Sequence, residues 1–121
     1  MSLLDEWSRR AAQRRDGKAE FLGEQSGEVV ETLRRELLIE FVTRPDIQRA
    51  YLARVGFPPS EETSAALCVV SARPDDRWLI MRIGEILRRR FGKEPPLEVL
   101  FLTAEQESDL ARVCSPFYRR P

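Results

Sequence analysis

Histidine does not occur anywhere in the 121 residues. Its absence excludes imidazole catalysis, the Ser-His-Asp triad and every zinc site that uses a histidine ligand. Cysteine occurs only as Cys68 and Cys114, too few and too far apart for a disulfide scaffold. Each lies in an apolar setting, so buried free thiols are the expectation. Lysine is reduced to Lys18 and Lys93, with arginine supplying the other basic residues, a skew that suggests a high-GC genome more than a mechanism. Net charge is missing as well. Basic and acidic residues balance at 20 each, which leaves no overall field to hold a polyanion or a membrane surface.

Long apolar runs are absent. The longest, residues 37–39, 65–70 and 78–81, fall far short of the roughly 20 residues a membrane-spanning helix needs. Asp5, Glu6 and Arg9 interrupt the N-terminal apolar patch, which therefore does not read as a signal peptide, and a cytoplasmic location is expected. Neither a GxGxxG turn nor a GxxxxGK[ST] loop occurs, so the backbone cradles that usually hold nucleotide phosphates are missing, and no cofactor or metal is expected.

What is present suffices for one folded domain. The chain is 42% hydrophobic with aromatics spread from Trp7 to Tyr118, enough apolar surface to offset the ordering entropy of folding. Leu3, Leu4, Trp7 and Ala11 recur at helical spacing until Gly17, which predicts a first helix over residues 3–16 and divides the chain into an appendage, residues 1–18, and an α+β domain, residues 19–121. Residues 19–22 suit a short strand. Ser26 can cap a helix from Glu28 to about Thr43, whose apolar stripe takes in Val29, Val30, Leu33, Leu37, Leu38, Phe41 and Val42 and which ends before Pro45.

Residues 47–55 alternate through Ile47, Tyr51 and Val55, and residues 65–71 form a β-branched apolar run; the Pro-rich stretch between them makes a long-looped hairpin. Asp75 or Asp76 can cap a helix burying Leu79, Ile80, Ile83, Ile86, Leu87 and Phe91 and stopping at Gly92. Residues 97–103 read as a buried strand. Thr103 and Gln106 form the capping box of a last helix ending near Cys114. The order βαββαβα predicts a two-layer α+β sandwich, ferredoxin-like βαββαβ with extra N-terminal and C-terminal helices.

Candidate chemistry is sparse. The adjacent acids Glu61 with Glu62, and Asp75 with Asp76, read as solvated loop charge and N-capping rather than an acid–base pair. Arg88, Arg89 and Arg90, with Arg119 and Arg120, could form a phosphate-binding patch, but three adjacent helical positions spread around the axis and complement the negative end of the helix dipole. Tyr51, Phe117 and Tyr118 are the aromatics expected to show a polar edge at the surface, with core-and-rim packing the favoured role over ligand contact.

Phe21-Leu22-Gly23 before a loop and helix, Ala50-Tyr51-Leu52 in the first hairpin strand, an apolar second strand and the closing Pro116-Phe117-Tyr118 occur in an order that resembles the C-terminal domain of the bacterial SseB (enhanced serine sensitivity) family. Gly23 is followed by Glu24 and Gln25, a departure from the Gly-x-Pro turn common there. The resemblance transfers no catalytic residues. With the missing catalytic groups it implies a non-enzymatic binding or adaptor domain with a protein partner, contacted through Trp7, Phe57, Tyr51, Phe117 and Tyr118. Two alternatives are an enzyme or accessory subunit in serine or sulfur metabolism using Cys68 or Cys114, and nucleic-acid binding through Arg88, Arg89 and Arg90. A self-associating first helix or sheet edge would make a homodimer.

Overall fold

The computed structural model describes residues 19–59, 61, 63–73, 75–92 and 97–121; the expected first helix and Trp7 lie outside them. The elements are β1 (Glu20–Glu24), α1 (Glu28–Phe41), β2 (Ile47–Gly56), β3 (Thr63–Ser71), α2 (Arg77–Phe91), β4 (Glu98–Phe101), α3 (Ala104–Leu110) and β5 (Tyr118–Arg119). Each helix begins and ends for a local reason. Gly27, at φ 122°, takes the N-cap of α1 without a side-chain hydrogen bond, so the expected Ser26 cap is not used. Glu28 and Glu31 in the first turn complement the positive end of the dipole instead.

Asp76 caps α2 by accepting from the Leu79 N–H at 3.1 Å, and Gly92 closes it in the left-handed region at φ 74°, its N–H donating to the Arg88 carbonyl at 2.8 Å. Thr103 and Gln106 form the full capping box of α3. That helix ends at Leu110, earlier than expected, and a turn over residues 111–113 carries the chain to Cys114.

The sheet runs β1-β2-β3-β4, antiparallel except for the parallel pair β3 and β4 that α2 joins. β3 lines one edge of β2 from Ile47 to Gly56, so β1 and β5 share the other. β1 pairs with the Ala53–Gly56 end and β5 with Arg49 and Ala50. This order corrects the ferredoxin-like expectation. A split βαβ unit places a strand between the two that a helix connects. Here β3 and β4 are direct neighbours, and β1 and β2, joined through α1, lie side by side and antiparallel.

Both faces of the sheet are covered, giving three layers where two were expected. On one face α1 and α2 bury Leu37, Phe41, Leu79, Ile83 and Leu87 against Ala50, Leu52, Leu67, Val69, Val99 and Phe101. On the other, Tyr51, Ala53, Val55, Ala66, Cys68 and Leu100 pack under Leu110 of α3, Cys114, Phe21 and Phe57. A register shift between Ile47 and Arg49 opens β2. It sends Ile47 to the α1 and α2 face while Tyr51 and Val55 stay on the α3 face, so the alternation read through all three does not hold. Among the described residues no helix is long and apolar enough to cross a membrane.

Candidate functional site

Tyr51 and Tyr118 are only 3% and 7% exposed, which corrects the expectation that they show polar edges at the surface. The Tyr51 hydroxyl donates to Glu107 of α3 at 2.7 Å, and that of Tyr118 to the Phe41 carbonyl at 3.3 Å. Phe117, half-buried, stacks on Phe41 with centroids 6.1 Å apart, and half-buried Phe57 packs against the α3-side core. The aromatic candidates thus do not converge on one surface.

The two thiols are buried, and burial drives both pKa values up: Cys68 far above the ordinary range, Cys114 to about 11. The arginine run closes α2. Arg89 is exposed, Arg88 half-buried, and Arg90 lies 3.9 Å from Glu36 of α1. Among the described residues, no group of three or more Cys, Asp or Glu is placed to hold a metal.

A polar cluster ties α3 to the sheet. Arg49 of β2 grips both carboxylate oxygens of Glu107, one at 2.8 Å, while Tyr51 donates to the same carboxylate. The Arg49 hydrogen bonds hold the Glu107 carboxyl below the usual carboxylate range, against the opposing effect of burial. Burial, with the neighbouring Glu107, pushes Tyr51 up to about 12. Both carboxylate oxygens of Glu107 are taken up by Arg49 and Tyr51, and the cluster serves as a clamp.

Open space lies at the other end of the helical layer. Pro45 ends the path of α1, and β5 returns the chain antiparallel to β2 beside that end, because Phe117 and Arg120 donate their N–H groups to the Ala50 and Gln48 carbonyls. Between the two segments lies a groove of about 260 Å³ lined by Val42, Thr43, Arg44, Pro45, Tyr118, Arg120 and Pro121. Three of the last carbonyls of α1 accept hydrogen bonds: Leu38 from Val42, Glu40 from Thr43, and Phe41 from Arg44 and Tyr118. The side chains that line the groove add their own chemistry.

Those side chains are apolar and cationic. Val42 is 69% exposed, and Ile39, one turn earlier on the same face, 70%. Arg44 donates to Glu40 at 2.9 Å, and Arg82 of α2 reaches the other oxygen of that carboxylate at 2.7 Å. Burial alone would raise the Glu40 pKa, but hydrogen bonds from Arg82 and Arg44 bring it below the ordinary value. One turn before Arg82, Trp78 is 69% exposed at the same end of the layer. The Arg120 guanidinium donates to the Pro45 carbonyl and holds the two walls together.

The family model for the SseB protein C-terminal domain matches residues 22–120. The chain belongs to that family. No curated protein and no solved structure matches it. The span shared with the SseB C-terminal domain model begins in β1 and takes in the groove as far as Arg120. Within this SseB domain the sequence pattern had placed Val42 in the buried stripe of α1 and gave no sign of the groove, whose walls come from distant parts of the chain. The one legible signal was the pairing of Leu38 with Ile39 and of Phe41 with Val42, since adjacent helical residues cannot share one face.

Proposed function

We propose that this SseB C-terminal domain is a non-enzymatic protein-binding module that takes a partner segment along the groove at the C-terminal end of α1. One observation carries the reading: Ile39 and Val42, large and apolar, stand about 70% exposed one turn apart beside a concave site. Exposed apolar side chains gathered at a concavity mark interaction surfaces more than scattered ones do. The buried, high-pKa thiols support a binding role over cysteine chemistry, because the reactive species is the thiolate.

The test is parallel affinity capture from the native cell lysate with the wild-type chain and a Val42→Asp variant of unchanged circular dichroism. Val42 is exposed, so the variant keeps its fold. Recovery of the partner by the wild type, with a loss of about tenfold or more in Val42→Asp, is the expected outcome. Equal recovery by both proteins overturns the assignment of the groove.

A further inference from the structure

We infer that residues 103–115, α3 with the turn that follows it, form a flap that lifts from the sheet while the rest of the domain stays folded, uncovering Cys68, with Glu107 as its latch. The chain is fixed on either side of this stretch. The Leu102 N–H donates to the Val69 carbonyl at 2.9 Å and the Phe117 N–H to the Ala50 carbonyl at 2.9 Å, so β4 and β5 stay tied to β3 and β2 when α3 moves.

Between those points the attachment is thin. Of residues 103–115 only Leu110 and Cys114 are buried, whereas α1 alone buries Val30, Leu33, Leu37 and Phe41. The capping box of Thr103 and Gln106 lies within the flap itself, so it shapes α3 without fastening it to the sheet. Glu107 does the fastening, through Arg49 and Tyr51 of β2, helped at the far end by the Ser115 N–H donating to Glu24 of β1 at 3.1 Å. A segment with few buried apolar contacts between fixed ends opens at a lower free energy than the whole domain. Beneath it lie Tyr51, Ala53, Ala66, Cys68 and Leu100. The Cys68 side chain has no exposure in the closed domain, so a thiol reagent reaches it when the flap lifts. Its backbone belongs to β3, which lies between β2 and β4 and keeps its pairing through that opening. The thiol and the strand amides therefore report different events.

The experiment follows N-ethylmaleimide labelling of Cys68, read peptide by peptide in a mass spectrometer, alongside hydrogen exchange of the β3 amides. Both are measured on the full chain over a series of urea concentrations below the unfolding transition. The proteins are wild type, Glu107→Gln and, as a control that loosens the opposite layer, Ile83→Val. Cys68 labelling should depend less steeply on urea than β3 exchange, because lifting a flap exposes less surface than unfolding. Glu107→Gln should label about tenfold or more faster than wild type, and Ile83→Val at the wild-type rate. Labelling that shares the urea dependence of the β3 amides, that quickens equally in Ile83→Val, or that never precedes unfolding overturns the flap. A shallow urea dependence with no change in Glu107→Gln keeps the opening and overturns Glu107 as the latch. Should Glu107→Gln fail to fold, wild type and Ile83→Val still decide the flap.

Discussion

Glu107 meets Arg49 and Tyr51 across the boundary between α3 and the sheet, so this one carboxylate joins two layers. Glu107→Gln keeps the shape, removes the charge and leaves a partly buried guanidinium with weaker acceptors. It should cost about 2 kcal/mol in chemical denaturation, the usual range for hydrogen bonds to charged groups. The pH dependence has two signs. Glu107 has a lowered pKa in the folded state, so its stabilisation is present above the ordinary carboxylate value and fades as pH falls through the folded value. Wild type should therefore lose stability in acid more steeply than Glu107→Gln. Tyr51 is shifted from 10.0 to about 12, so its stabilisation is complete below pH 10 and disappears as pH rises towards 12. A Tyr51→Phe variant should show a flatter alkaline limb in melting curves followed from neutral to high pH; equal limbs would contradict the clamp.

Secondary-structure elements divide into those with their causes nearby and those without. Both ends of α2 were legible, because Asp76 and Gly92 act within a turn of where they stand, and so was the capping box of α3. Thr103→Ala removes that box from a helix only seven residues long. The expected cost is about 1 kcal/mol, with faster hydrogen exchange at the Gln106 and Glu107 amides and little change in β2. Uniform acceleration across the domain would show that α3 does not open on its own. The bulge at the start of β2 left no trace in composition, because the Ile47-Gln48-Arg49 stretch reads as ordinary strand and only pairing with β3 exposes the shift. β5 was missed for a related reason. Its two residues carry no periodicity and become a strand only because the Arg49–Ala50 edge of β2 is left open beside β1.

At the scale of the whole molecule, the family was legible while the site was not. Short apolar motifs in order, from Phe21-Leu22-Gly23 to Pro116-Phe117-Tyr118, belong to the core and to the path of the chain, and those the sequence carries directly. Strand order depends on long-range pairing, so the expected interleaved sheet gave way to neighbours that follow chain order apart from β5. The groove depends on that order too: β5 must return beside β2 to bring Arg120 to Pro45 at the end of α1. The most direct test of the account is photo-crosslinking in native cells with p-benzoylphenylalanine in place of Val42 or, as a control, Arg89, which is exposed at the far end of α2. A discrete protein adduct formed from position 42 and not from position 89 is the predicted result. Adducts from position 89 alone, or from neither position, would contradict the groove as the binding surface.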